Sequence, residues 1–316
     1  IRFSSQENPF FWTPTATNTA GSLRVGSGSE IVTAVKTRRE MIVLTDTSVH
    51  SMQFIGPPFT FGINQLASAI TVRGFNSAVA VGDSVLWMGY DRFYLYDGRV
   101  QVIPCSVRDH VFEDFNETQS DKIYAGINSA FGEVFWFYPS NTNSSSNGGT
   151  DENDRYVVYN YDQKIWYVGS LTRTSWVDRG VYQYPMATDS NVVYNHEKGN
   201  DNDGTAFTSF IESSPIDIQD GDQFVFLRRM IPDVSFDNSD SDIPSSDKKA
   251  VFSLKAQRSP NGGFIKTSTN TVLPTTELNH LRLRGRSFGL RVESTTPKVN
   301  WRFGTPRVDI TADGDR

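Results

Sequence analysis

Val85-Leu86-Trp87-Met88-Gly89-Tyr90-Asp91-Arg92-Phe93-Tyr94-Leu95-Tyr96-Asp97-Gly98-Arg99-Val100-Gln101-Val102-Ile103 carries three apolar runs separated by two polar turns. Each run is too short for a helix, rich in β-branched and aromatic side chains, and cut by Asp or Gly, so each reads as a strand. The first turn centres on Asp91. The second is Asp97-Gly98, where glycine accepts the positive φ of a tight hairpin without a steric penalty. The stretch is therefore expected to be a meander of three antiparallel strands.

The same unit recurs to either side. Met41-Ile42-Val43-Leu44 turns at Asp46 into residues 49–54, Ala125-Gly126-Ile127 turns near Gly132 into residues 134–138, and Tyr184-Pro185-Met186-Ala187 turns at Asp189 into Val192-Val193-Tyr194. Tyr156-Val157-Val158-Tyr159 turns at Asp162-Gln163 into Ile165-Trp166-Tyr167-Val168. The turn centres at Asp46, Asp91 and Gly132 are 45 and 41 residues apart; Gly132 to Asp189 is 57, or 42 once an insertion at 140–154 is removed. A period of about 40–45 residues is that of four-stranded propeller blades. The insertion is rich in Ser, Asn and Gly and buries too little apolar surface to order itself, which predicts an exposed, mobile loop between two strands. After Gly204 the runs lengthen, to 207–211, 224–231, 250–256 and 281–293, around an Asp/Ser-rich loop at 237–247. The expected fold is all-β: residues 1–204 a partial β-propeller with about four blades visible, and residues 205–316 a β-sandwich-like unit.

Composition agrees with that class. With six Trp, 12 Tyr and 22 Phe among 316 residues, the apolar content is weighted toward flat side chains that suit strand surfaces, and the length supports roughly two domains. The single cysteine, Cys105, excludes an internal disulfide and leaves too few thiols for a structural zinc. No stretch approaches the ~18 consecutive apolar residues of a membrane helix. Ile1-Arg2-Phe3-Ser4-Ser5 carries neither an initiator Met nor a signal pattern, so residue 1 is expected to be an interior cut with further blades before it. A net charge of -6 without a long cationic run argues against tight nucleic-acid binding, which needs clustered Lys and Arg, but suits a weakly repulsive wall along which DNA passes.

No catalytic, cofactor-binding or metal-ligating residue is expected. His50, His110, His196 and His280 lie outside any nucleophile-base motif. Glu133 and Asp162 lie near turns and can be nominated as a glycosidase acid pair, although linear spacing does not bring them together. The acidic turns 200–204 and 217–222 alternate oxygen ligands as calcium loops do, yet lack a distant bidentate Glu and are equally explained by turn chemistry. Two interface elements stand out. In Leu281-Arg282-Leu283-Arg284-Gly285-Arg286, a period of two sets Arg282, Arg284 and Arg286 on one face, to clamp an acidic neighbour, touch DNA phosphates, or serve as a solvated strand edge. In Gly56-Pro57-Pro58-Phe59-Thr60-Phe61, prolines that cannot continue a sheet carry Phe59 and Phe61, either as a docking tip or packed back on their own sheet.

Several segments carry a resemblance: Ile1-Arg2-Phe3-Ser4-Ser5-Gln6-Glu7-Asn8-Pro9, residues 12–21 (Trp12-Thr13-Pro14 to Ala20-Gly21), Glu212-Ser213-Ser214-Pro215-Ile216, Gly221-Asp222-Gln223-Phe224 with Arg228-Arg229-Met230-Ile231-Pro232-Asp233, Arg282-Leu283-Arg284-Gly285-Arg286, Trp301-Arg302-Phe303-Gly304, Arg307-Val308-Asp309-Ile310 and Asp313-Gly314. Together they resemble the tail nozzle and packaged-DNA stabilisation proteins of short-tailed bacteriophages. The resemblance spans both ends and the middle; the insertion at 140–154 has no counterpart in it. It implies a non-enzymatic virion protein of the phage tail that needs no cofactor. Such a protein is expected to form a homo-oligomeric, sixfold ring below the portal adaptor and beside the tail fibre proteins, to retain packaged double-stranded DNA and to pass it during ejection. Members of that family commonly carry an additional N-terminal portion. The alternative reading is a carbohydrate-binding or glycoside-cleaving β-propeller.

Overall fold

The structure is a computed structural model that describes residues 1–142, 149–218 and 220–314. Residues 143–148, the centre of the insertion expected to be a mobile loop, and Gln219 in the second acidic turn lie outside the described residues. The chain forms two compact units, Ile1–His196 and Glu197–Arg316.

In the first unit, β1 (Arg2–Phe3) and β2 (Gly21–Ser22) pair as a short antiparallel ribbon. Four sheets follow in chain order. The first holds β3 (Ile31–Lys36), β4 (Met41–Thr45), β5 (Ser48–Gly56) and β6 (Thr60–Ser68). The second holds β7 (Ala78–Val81), β8 (Ser84–Met88), β9 (Phe93–Tyr96) and β10 (Val100–Ile103). In the third are β11 (Tyr124–Asn128), β12 (Glu133–Tyr138), β13 (Arg155–Asn160) and β14 (Ile165–Ser170). The fourth has three strands, β15 (Ser175–Val177), β16 (Met186–Asp189) and β17 (Val192–Asn195). Every sheet is an antiparallel meander in sequence order, as the hairpin reading of 85–103 predicts. One short helix, α1 (Arg108–Asp114), and a 3-10 stretch, Glu117–Lys122, connect the second sheet to the third.

The first strands of successive sheets are neighbours: β7 lies against β3 and β11, and β11 against β15. Between sheets the alternation of side chains fills three apolar seams. Trp87 on β8 points toward the first sheet and packs with Ile42, Leu44 and Tyr94, whereas its neighbours Leu86 and Met88 point the other way and join Trp136 and Val134 of the third sheet. On β12 the same sorting sends Val134, Trp136 and Tyr138 into that second seam and Phe135 and Phe137 into a third with Trp176 and Ala187. A strand covered on both faces must be apolar at every position, which is why Val134-Phe135-Trp136-Phe137-Tyr138 has no polar break. The indole N–H groups fasten the seams: Trp136 Nε1 donates to Ser77 O at 2.9 Å, Trp166 Nε1 to Pro104 O at 2.8 Å, and Trp176 Nε1 to Ile127 O at 2.7 Å. A buried N–H left unpaired would cost about 1–3 kcal/mol, so these bonds fix ring orientation as well as position.

The second unit contains β18 (Ser209–Glu212), β19 (Ile216–Asp217), β20 (Val225–Ile231), β21 (Val234–Ser235), β22 (Ala250–Gln257), β23 (Phe264–Val272), β24 (Asn279–Gly285), β25 (Ser287–Ser294), β26 (Arg302–Phe303) and β27 (Arg307–Ala312). One sheet runs β18-β25-β22-β23 with β19 also on β25; another runs β24-β20-β27; β21 and β26 form a two-stranded pair. Leu227, Met230, Leu281 and Leu283 from the β24-β20-β27 sheet share one core with Phe252, Leu254, Phe288 and Val292 from the larger sheet. The run 281–293, expected to be one long strand, is two strands in different sheets. It breaks at Arg286, whose N–H bonds Gln257 O at 2.9 Å. Gly285 makes the break possible, because a Cβ there would lie 3.0 Å from the same carbonyl.

Candidate functional site

The two sequence-nominated interface elements behave differently. The hairpin β5–β6 continues to Gly56 and resumes at Thr60, so the prolines occupy only its tip and the sheet is not ended there as the proline rule suggests. Phe59 is 72% exposed, whereas the Phe61 ring packs edge-on against Phe3 at 4.9 Å and Phe54 at 5.8 Å. The structure thus separates the pair: Phe59 is available to a partner and Phe61 is part of its own sheet.

On β24 the expected alternation holds, with Leu281 and Leu283 buried and Arg282 exposed. Arg282 has φ of 54°, an uncommon conformation for a non-glycine residue, opposite the register shift between Leu227 and Arg229 of β20. Arg284 pairs with the Asp313 carboxylate and donates to Asp313 O at 3.1 Å. Arg284 and Arg286 both lie over the Phe224 ring, at 4.2 and 4.8 Å from its centroid. Two of the three guanidinium groups therefore have partners within their own unit, and Arg282 is the one directed to solvent.

Both nominated acids act on Tyr161, whose hydroxyl is pushed up by burial and further by Asp162, Asp178 and Glu133. Glu133 is raised by burial, against the hydrogen bonds it accepts from Tyr167 Oη at 2.5 Å and Asn128 Nδ2 at 3.4 Å. Asp162 is folded onto the backbone of Gly132, where any Cβ would collide with its carboxylate; with φ of 69° there, glycine is required twice over. Neither acid lines a cavity of about 510 Å³ between residues 1–2, 22–31 and Thr45, nor one of about 300 Å³ among Asn76, Tyr124, Gly126, Trp176 and Asp178.

Two histidines are engaged in packing. His50 Nε2 lies 2.8 Å from Ser48 Oγ, a serine-histidine pair that sequence reading missed; Ser48 is 1% and His50 2% exposed, so no substrate reaches them. His196 Nε2 accepts from Arg173 Nε at 2.8 Å and its ring lies 4.8 Å from that of Trp176; burial, then the Arg173 charge, brings it down to about 4. The Cys105 thiol is pushed up to about 11 by burial, which keeps it protonated and poorly nucleophilic.

In the first acidic turn, Asn200 Nδ2 bonds Asp240 Oδ1 at 2.8 Å, Asn200 O accepts from Lys298 N at 3.1 Å, and Lys298 Nζ sits 2.7 Å from Asp242 Oδ2. A lysine ammonium there supplies the positive charge that a calcium ion would bring. Among the described residues no group of three or more His, Cys, Asp or Glu is arranged to hold a metal ion, and no helix is long and apolar enough to cross a membrane.

The most exposed aromatic surface lies elsewhere, in the loop between β1 and β2. Phe10, Phe11 and Trp12 are 89%, 60% and 45% exposed. The sequence signal was present, three consecutive aromatics between Pro9 and Pro14 without strand alternation, but a linear pattern does not distinguish outward from inward rings.

No family model and no curated protein matches the sequence. Among solved structures, a protein titled "Glycoside hydrolase" aligns over 85% of this chain and 83% of that chain, with 9% identity and a TM-score of 0.26. So loose a superposition carries no argument about activity.

Proposed function

We propose that this chain is a structural component of a short-tailed bacteriophage tail, in which the four sheets of the first unit are blades of a β-propeller that stiffens the wall of a ring-shaped DNA conduit. The observation that carries the reading is the succession of β3, β7, β11 and β15 as neighbouring first strands, with apolar, aromatic-rich seams between successive sheets. Sheets arranged in this way around an axis resist bending because each is held on both faces. The sequence segments that resemble tail nozzle proteins supply the functional class. Exposed apolar side chains at the ends of the series, Ile31 at one and Val177, Val192 and Val193 at the other, support further packing partners, since apolar surface of that kind marks interfaces. The sugar-cleaving alternative needs two acids facing one cleft. Glu133 tied to Tyr167, and Asp162 folded onto Gly132, are poorly placed for that role.

Native mass spectrometry and electron microscopy of the purified protein test the proposal. A sixfold ring with a central bore is the expected result. A protein that stays monomeric at tens of micromolar and releases sugar from glycans overturns it.

A further inference from the structure

The second unit carries a cationic face on its β24-β20-β27 sheet. Leu227, Met230, Leu281 and Leu283 of that sheet point into the core, so the positions between them point outward. Cross-strand register gathers charge on the outer face: Arg229 sits between His280 and Asp309, Arg284 opposite Phe226, and Arg307 opposite Ile231. Two backbone irregularities add to it. The register shift between Leu227 and Arg229 leaves Arg228 and Arg229 both exposed. Across from it Arg282 is exposed with φ of 54°, a conformation that costs a non-glycine residue about 1–3 kcal/mol and is found where the direction of a side chain has a use. Lys266 Nζ lies 3.1 Å from Arg282 O and brings one more cation to the edge of β24. Asp309 and Asp313 neutralise Arg229 and Arg284. Among the described residues, Arg228, Lys266, Arg282 and Arg307 are in no ion pair.

The first unit presents the opposite charge on the connector between its second and third sheets. There α1 and the 3-10 stretch Glu117–Lys122 carry five acids, and Asp151 and Glu152 are held beside them by Gln119 at 3.4 Å and Lys122 at 2.8 Å. Arg108, Arg155, Arg73 and Lys122 pair with Asp109, Asp114, Glu117 and Glu152. Glu113, Asp121 and Asp151 are exposed and, among the described residues, in no ion pair.

We propose that the outer face of the β24-β20-β27 sheet docks the acidic connector of a second copy of this chain, a contact that rests on the ring reading and deepens it by naming the two surfaces that meet. The unpaired charges are complementary in sign and similar in number, and guanidinium groups bind carboxylates through paired, charge-assisted hydrogen bonds. A DNA backbone is a poorer match, because its phosphates would meet Asp309 and Asp313 on the same face. A contact between two different patches runs head to tail, the geometry that closes into a ring when the rotation between copies allows it. Apolar area elsewhere adds affinity, whereas opposite charges decide which patches meet and like charges keep wrong ones apart. Assembly is therefore sensitive to salt.

The test is sedimentation and native mass spectrometry of the full chain over a range of salt, with three variants. Arg228→Glu with Arg307→Glu reverses the face, Glu113→Lys with Asp121→Lys reverses the connector, and a third chain carries all four changes. All four side chains are exposed and none holds an ion pair within its own chain among the described residues, so melting temperatures stay at the parental value. The parental assembly is expected to loosen as salt rises from about 0.05 to about 0.5 M. Either reversal alone raises the concentration needed for assembly at least about tenfold, and the chain with all four changes assembles as the parent does. The inference is overturned if assembly ignores salt, if either reversal leaves it unchanged, or if the combined chain assembles no better than the single reversals. It is also overturned if reversing the face abolishes retention on duplex DNA and leaves the ring intact, which would make the face a phosphate contact. A ring that forms in spite of both reversals sinks this inference and leaves the tail reading standing; a parent that stays monomeric at low salt sinks both.

Discussion

Replacing Phe93 by alanine tests whether the aromatic seam between the second and third sheets holds the first unit together. The ring is completely buried, with its centroid 4.6 Å from that of Trp166, 4.9 Å from Trp136 and 5.4 Å from Phe112. Removing it withdraws roughly 150 Å² of apolar contact, worth about 4 kcal/mol at ~25 cal/mol per Å². Loss of favourable ring-ring geometry adds about 0.5–1 kcal/mol. The neighbours cannot collapse into the space, because Trp136 and Trp166 are fixed by their indole hydrogen bonds to Ser77 O and Pro104 O. The predicted cost is therefore about 4–5 kcal/mol, at the upper end for Phe→Ala changes. Phe93→Leu, which refills most of the volume, should cost about 1.5 kcal/mol. Urea unfolding followed by tryptophan fluorescence measures both, since two of the disturbed neighbours are themselves reporters. A loss below about 1 kcal/mol for the alanine variant would mean that the sheets do not depend on one another for stability, and the reasoning about a stiff wall would fail.

Stability of the first unit should also depend on pH through His196. Its imidazole is held at about 4 in the folded chain, below the ordinary 6.5, by burial and then by Arg173. The unfolded chain thus binds the proton more readily, so this contribution is complete above pH 6.5 and is lost progressively as pH falls toward 4. Discounted for partial exposure, the loss is about 1–2 kcal/mol. Urea midpoints between pH 7 and 4.5 should fall for the parent and stay flatter for His196→Gln; parallel curves refute the assignment. Gly126→Ala would drive a Cβ to 2.5 Å from the Trp176 indole. It should lower stability by about 1–3 kcal/mol, with a lower melting temperature and altered Trp176 emission as the signs. Tyr96 donates its hydroxyl to Glu40 Oε1 at 2.5 Å across the first seam, and its own ionisation is pushed up to about 12 by burial and that carboxylate. Tyr96→Phe should cost about 1.5 kcal/mol in a urea titration at neutral pH, and a variant as stable as the parent would show that the bond contributes nothing.

Much of the first unit was legible because its strands carry their own signal. The run 85–103 holds hairpin turns at positions where only turn chemistry explains Asp91 and Asp97-Gly98, and the observed pairing of Val85 with Tyr96 and of Tyr96 with Val100 follows. The sequence does not reveal which seam each side of β12 enters, since both sides are equally apolar. The helix Arg108–Asp114 escaped because only one of its seven residues, Val111, is fully buried, and so short an element has no apolar stripe to detect. The break at Arg286 escaped for a different reason. The apolar positions slip by one between Leu283 and Phe288, from odd to even numbers, but a β-bulge within one strand would give the same slip, and the change of sheet accompanies the bond of Arg286 N to Gln257 O, far away in the chain. Site residues were legible only as types. The Arg282, Arg284 and Arg286 period puts only the first two on β24, and the partner of Arg284 is Asp313, a pairing across 29 residues that leaves no local trace.

The division of charge and apolar surface bears on what kind of protein this is. Several of its cations are bound to its own anions or rings. Arg73, whose side chain is wholly buried, pairs with Glu117 and lies 4.2 Å from the Phe115 ring centroid. Arg291 sits 2.8 Å from both Glu212 and Glu293, and Lys298 neutralises Asp242. At the same time Phe10, Phe59, Val181 and Val193 are more than half exposed. If the chain assembles as proposed, exposed apolar area of this kind supplies the contact, since its burial is favourable without any charge pairing. The exposed apolar side chains are the surface on which the proposed assembly would draw. On the proposed conduit reading, a net charge of -6 without a long cationic run suits a wall past which DNA moves without being held.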